Sequence, residues 1–250
     1  MRPGLILGLA LLAAVSAGQK LRAEEAPAGC DVPTSLLESE SSLPRVAEAV
    51  KAGQPLNVLV IGSRSSTIGS DAANAYPARM QAALKDRLPQ LAVAVSVEIQ
   101  ASKTADEIAN NLVKLMEGKR PTLVIWQTGT VDAMRSIDPD DFRTALDEGV
   151  VAMQKAEADV VLINPQYSPR TETMISVPPY LDNMRAVAQQ HDAPLFDRFA
   201  IMHQWNDQGD FDLFSAHHGP ELAKRVHDCL GKALAAFVVN TAHVGPAQQN

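Results

Sequence analysis

Apolar residues gather into five short runs, at 57–61, 91–99, 122–127, 159–163 and 194–196, separated by segments with helical spacing. All but the second are continuously apolar, as strands buried on both faces of a parallel sheet are. The intervening segments carry helix starts. Thr104-Ala105-Asp106-Glu107 reads as a capping box ahead of Ile108, Leu112, Leu115 and Met116. Asp138-Pro139 supplies an N-cap and a first-turn proline before Phe142, Leu146 and Val150. Pro77 opens a segment with Met80, Leu84 and Leu88 on one face, and Pro220 opens the last one through Val226, Leu230, Leu234 and Phe237. This alternation predicts an α/β fold, a parallel sheet with helices on both faces. Ligands of such sheets bind outside the carboxyl ends of the strands.

The N-terminus adds a different signal. Arg2, an apolar run over residues 5–15 and the small residues of Val15-Ser16-Ala17 form a signal-peptide pattern. The run is shorter than the roughly 20 residues that a membrane span needs. The expected division is a signal peptide at 1–23 with cleavage after Ala17 or Ala23, an arm and first helix at 24–53, one domain at 54–242, and a frayed tail at 243–250. The mature chain is expected to be periplasmic or secreted, with no membrane span. A net charge of −7 gives no reason to expect a nucleic-acid partner.

Export changes the meaning of the cysteines. Cys30 and Cys229 are the two in the chain, and an even count in an oxidising compartment predicts a disulfide between them. Their spacing is unlike a metal site, and no His/Asp/Glu cluster points to one.

The carboxyl ends of the strands hold the candidate chemistry. The first run leads into Gly62-Ser63-Arg64-Ser65-Ser66-Thr67-Ile68-Gly69, a hydroxyl-rich loop flanked by glycines. Neither G-x-G-x-x-G nor G-x-x-x-x-G-K-[ST] is present, which removes the phosphate-cradle readings. A serine needs an adjacent base before it becomes a nucleophile.

Ser65-Ser66-Thr67-Ile68-Gly69 resembles the S-L-T-x-G half of the G-D-S-L-T-x-G block that opens the SGNH (GDSL-like) hydrolases. Tyr76-Pro77-Ala78-Arg79 follows with that family's Y-P-x-R pattern. The resemblance makes Ser65 the candidate nucleophile, with Ser63 and Ser66 as lesser candidates. Ser63-Arg64 stands where the family has Gly-Asp. Ser102 falls nearest the family's oxyanion-hole glycine, whose backbone N–H is the donor. Trp126-Gln127-Thr128-Gly129-Thr130-Val131-Asp132 is similar to the G-x-N-D block, and an exported bacterial branch shares its flanks; it adds Gly129 and Thr130 to the substrate-side candidates. Val131 replaces the asparagine whose amide serves the oxyanion, and loss of one such donor costs about 10² to 10³ in rate.

The family's last block is D-x-x-H before the final helix. Here Asp212-Leu213-Phe214-Ser215-Ala216-His217-His218 offers His217 or His218 as the base and Asp212 as its orienting carboxylate, at altered spacing. His203 and Trp205 read as helix packing, and His191, His227 and His243 show no partner pattern.

The resemblance implies a flavodoxin-like three-layer α/β/α sandwich with a five-stranded parallel sheet of order 2-1-3-4-5. It implies hydrolysis of a small-molecule or glycan ester through an acyl-enzyme, with no cofactor. The alternative is a protein that keeps the fold and binds a carbohydrate or acyl ligand without turnover. Val131 and the altered histidine block favour that alternative.

Overall fold

The computed structural model describes residues 29–214 and 219–244. The signal peptide expected at 1–23, the tail residues 245–250 and both candidate bases, His217 and His218, lie outside the described residues.

Five strands form one parallel sheet: β1 (Leu56–Gly62), β2 (Val93–Ile99), β3 (Leu123–Gln127), β4 (Asp159–Ile163) and β5 (Leu195–Phe196). Their order is β2-β1-β3-β4-β5, the order the resemblance implies. Every residue of β3 and β4 is buried, which is why residues 123–126 and 160–163 are uninterruptedly apolar, with polar Gln127 and Asp159 only at the strand ends. β2 is an edge strand, and only Val93 of its residues is fully buried, so Ser96 and Glu98 are tolerated in it.

Among the described residues, ten α-helices connect and cover the strands. They are α1 (Pro44–Lys51), α2 (Tyr76–Arg87), α3 (Ala105–Ala109), α4 (Leu112–Met116), α5 (Thr130–Met134), α6 (Pro139–Lys155), α7 (Pro169–Met174), α8 (Pro178–Gln190), α9 (Arg198–Asp207) and α10 (Gly219–Thr241). One face of the sheet packs Val58, Val60 and Ile125 against Met80 and Leu84 of α2, Ile201 and Trp205 of α9, and Leu230 and Leu234 of α10. The other packs Leu59, Val124 and Trp126 against Ile108, Leu112, Phe142, Leu146 and Met184, from α3, α4, α6 and α8. Two apolar layers around one sheet make the three-layer sandwich.

The predicted starts of α3, α6 and α2 are where the sequence put them. Thr104 and Glu107 form the reciprocal capping box, and Asp138 caps α6 by accepting from the Asp140 N–H. The single helix expected from Ile108 to Met116 is instead two short ones, broken at Asn110-Asn111. Asn110 turns its side-chain amide onto Asp106 Oδ1 at 3.0 Å, and asparagine is a weak interior helix former. Leu91 and Ala92 precede β2 rather than joining it. Among the described residues, no helix is long and apolar enough to cross a membrane.

Cys30 and Cys229 are joined, with Cα atoms 5.1 Å apart. The bond fixes the N-terminal arm to α10, and Trp205 of α9 donates to the Asp31 carbonyl at 2.9 Å beside it. Closing 199 residues of sequence separation removes much freedom from the unfolded chain. Replacing both cysteines by serine is expected to cost about 2–5 kcal/mol, read as a lower midpoint in urea unfolding. An unchanged midpoint would mean that the apolar contacts of Trp205 and α10 hold the arm without the bond.

Candidate active site

β1 ends at Gly62, and the chain turns through Ser63 into a 3-10 turn at Arg64–Ser66. A side chain at 62 would overlap Ser66, so glycine is required there by close approach. Ser63 caps the turn, its Oγ accepting from the Ser65 N–H at 3.4 Å. The three serines thus take different places. Ser66 is 1% exposed and donates from Oγ to Gln127 Oε1 at 2.7 Å. Ser63 and Ser65 line a cleft of about 640 Å³ at the carboxyl edge of the sheet, their Oγ atoms 3.2 Å apart.

Gln127, the last residue of β3, organises this loop from below and is 1% exposed. Arg198 Nη1 donates to Gln127 Oε1 at 3.0 Å. A guanidinium only donates, so the amide oxygen must face it and the amide nitrogen must turn to the serines. Gln127 Nε2 accordingly donates to Ser65 Oγ at 2.7 Å and to Ser63 Oγ at 2.9 Å. The Tyr76 hydroxyl donates to Oε1 at 3.1 Å.

Arg198 is the first residue of α9 and is 1% exposed. Nη1 also donates to Ser65 Oγ at 3.3 Å, and Nη2 donates to the Ser65 carbonyl at 3.2 Å and to Gln166 Oε1 at 3.0 Å. Its guanidinium lies 5.7 Å from the centre of the Tyr76 ring. Its position follows from local capping. Asp197 caps α9 through the Ala200 N–H at 2.9 Å, and Asn164, just after β4, donates to Asp197 at 2.6 Å. Among the described residues no carboxylate pairs with Arg198, and Nε has no partner. Burial lowers its pKa to about 10, with Tyr76 opposing, so it stays charged at neutral pH. A cation is disfavoured both at a helix N-terminus and in an interior without a counter-charge. The fold accepts both costs to bring this cation to Ser65.

The consequence for Ser65 is specific. Its Oγ accepts from Gln127 and Arg198, which occupies both lone pairs of a neutral hydroxyl. The Ser65 proton must therefore be donated, and since Ser63 Oγ already accepts from Gln127 Nε2 and the Ser65 N–H, a base in the cleft is the acceptor left for it. Both donors also favour the ionised oxygen over the neutral one.

Ser102 follows β2 with φ 60°, the left-handed region that glycine enters most easily. That accounts for a glycine at the matching place in the family. Its N–H makes no hydrogen bond among the described residues, and Arg135 Nη2 holds its carbonyl at 2.8 Å. Gly129 caps α5 with φ 91°, and a Cβ there would come within 3.3 Å of Pro165. It shapes the turn that sets Thr130 and Val131 on the cleft wall. Thr130 Oγ1 is buried without a partner among the described residues, and the Val131 side chain offers no donor. Asp132 faces away from this chemistry: Oδ1 accepts from the Ala105 N–H at 2.8 Å and ties the loop to α3. Burial raises its pKa against those hydrogen bonds.

Asp212 accepts from the Phe214 N–H at 3.1 Å. His227 corrects the sequence reading, which gave it no partner. It lines the cleft, and its Nδ1 accepts from the Tyr76 N–H at 3.0 Å. Burial, then the Arg198 charge, lowers its pKa to about 3. It is a neutral imidazole with its proton on Nε2, a donor rather than a ready base. His191 likewise has a partner, Asp147 at 2.6 Å, on the surface. His203 pairs with Asp207 and packs on Tyr167, as helix packing requires. Gln127, Arg198 and His227 are the residues that sequence reasoning missed.

A five-stranded parallel sheet of this order with helices on both faces is the three-layer architecture of the SGNH-type hydrolases. The chain belongs to the non-GDSL lipase-like family, whose model matches residues 29–244. Similar solved structures share that fold at low identity. The hydrolase LAE5, from the metagenome of Lake Arreo, is 20% identical with a TM-score of 0.59, covering 76% of this chain and 98% of its own. TesA is 20% identical with a TM-score of 0.55, covering 71% and 97%. A catalytic mutant of Axe2, an acetylxylan esterase from Geobacillus stearothermophilus, is 17% identical with a TM-score of 0.59, covering 72% and 93%. None of the curated proteins matches this chain.

Proposed function

We propose that this protein hydrolyses carboxylic esters outside the cytoplasm, with Ser65 as the nucleophile. The observation that carries the reading is the pair of donors on Ser65 Oγ, Gln127 Nε2 and the uncompensated Arg198, in a cleft at the carboxyl edge of the sheet. Ser65 Oγ attacks the carbonyl carbon as its proton passes to a base, for which His217 or His218, oriented by Asp212, is the sequence candidate. The C=O bond opens to a tetrahedral oxyanion. Its collapse releases the alcohol, which takes the proton, and leaves an acyl-Ser65 ester. Water attacks that ester by the same path and frees the acid and Ser65. The N–H groups of Ser102 and of Ser65, the latter turning from its long 3.4 Å contact with Ser63 Oγ, are the oxyanion donors in this scheme. The disulfide supports an oxidising compartment. Family membership and the esterase among the similar structures support the ester bond, with a small molecule or a glycan as substrate.

Val131 favours one rival, a ligand-binding protein without turnover, and the same position separates the two. Val131→Asn is expected to raise kcat for a short-chain aryl ester by at most about 10² to 10³, the share of one oxyanion donor, with KM little changed. An unpaired amide there would cost about 1–3 kcal/mol, so unfolding is measured beside the kinetics. A wild-type protein without measurable turnover, joined by an equally inactive but folded Val131→Asn, would favour the binding reading.

A further inference from the structure

The chain carries a net charge of −7, yet the cleft is cationic. Among the described residues no Asp or Glu lines it, whereas Arg64 and Arg135 do. Arg64 is exposed and makes no ion pair among the described residues. Arg135, with its side chain 49% exposed, shares the single carboxylate of Glu107 with Lys103. One anion therefore answers two cations at that wall. The nearby Asp132 is buried behind the wall, and burial disfavours its charged form. Beneath the nucleophile loop lies Arg198, charged and without a carboxylate. The rest of the lining mixes the hydroxyl residues Ser63, Ser102 and Thr130 with apolar Val131 and Met134, a surface for the body of an ester beside the cations. A concave wall with one sign of charge concentrates ligands of the other sign. A neutral ester would leave Arg64 without a counter-charge and Arg135 with only the carboxylate it shares with Lys103.

We propose that the cleft takes an ester bearing a fixed carboxylate on its acyl or its alcohol part, held by Arg64 and Arg135 while Ser65 meets the carbonyl. This deepens the ester-hydrolase reading and rests on it for the position of the reacting bond. Arg64 neighbours the nucleophile in sequence, Arg135 anchors the Ser102 carbonyl, and both line the cleft that holds Ser65. Each guanidinium offers a planar fork of donors that matches a carboxylate.

Binding to the Ser65→Ala protein tests this without turnover. para-Acetoxybenzoate against para-acetoxybenzamide places the charge on the alcohol part. Monoethyl terephthalate against ethyl para-carbamoylbenzoate places it on the acyl part. Calorimetry at low salt should show the anion of at least one pair binding about tenfold tighter than its amide, the sum of two partly exposed charge contacts. The pair that responds identifies the charged side. The advantage should collapse in high salt and in the Arg64→Gln/Arg135→Gln double variant. Equal affinity within both pairs overturns the proposal, as does a preference indifferent to salt and to the double variant. Wild-type turnover of the same compounds is read separately. A preferred anion that the wild-type protein never hydrolyses would remove the hydrolase reading and leave the charge selectivity standing.

Discussion

Ser65→Ala lowers ester turnover by at least about 10³-fold and leaves the unfolding midpoint nearly unchanged. Removing the nucleophile of a serine hydrolase eliminates the acyl-enzyme route and leaves what binding and the oxyanion donors supply. The fold should tolerate the change because Ser65 lies at the cleft, and losing its hydroxyl leaves Gln127 Nε2 with Ser63 Oγ at 2.9 Å. The neighbouring serines separate cleanly. Ser63→Ala should cost less than about tenfold in rate, since its Oγ caps the turn and sits beside the nucleophile without attacking. Ser66→Ala should act mainly on stability, by about 1–2 kcal/mol, because it removes a buried donor to Gln127. A Ser63→Ala protein as inactive as Ser65→Ala would move the nucleophile to Ser63.

Arg198→Met has the second largest expected effect, a loss of about 10² to 10³ in kcat with KM little altered. The guanidinium touches Ser65 Oγ at 3.3 Å, so its benefit grows as that oxygen takes on charge. Stability should change by no more than about 2 kcal/mol. Deleting a buried, uncompensated cation is favourable, while Gln166 Oε1 and the Ser65 carbonyl lose a donor. Arg198→Lys should recover part of the rate, since one ammonium replaces the charge but not the fork that also fixes Gln127. Wild-type kcat in a folded Arg198→Met protein would show that the cation serves the fold alone.

The sequence made the scaffold legible because its signals are local. Continuous apolar runs marked β1, β3 and β4, and capping residues marked the starts of α3 and α6 within the chain itself. The loop serines were visible through their spacing to Thr67 and Gly69, and Ser102 through its place after β2. The support beneath Ser65 was not legible. Gln127 and Arg198 stand 71 residues apart and meet only once the sheet is assembled. Tyr76 and His227 are 151 residues apart and lie on facing helices, α2 and α10. No periodicity announces a buried arginine at a helix start, where both burial and the helix dipole oppose it. The one available signal was its place at the start of α9, two residues after β5, on the carboxyl edge where ligands of such sheets gather.

The central claim is that Ser65 is an activated nucleophile, and covalent labelling tests it most directly. The protein is treated with a fluorophosphonate, digested and mapped by mass spectrometry. The account predicts one adduct, on Ser65 Oγ, with labelling strongly slowed in Arg198→Met, because that cation favours the ionised oxygen. An adduct on Ser63 or Ser66 instead, or no adduct on any of the three, would contradict it.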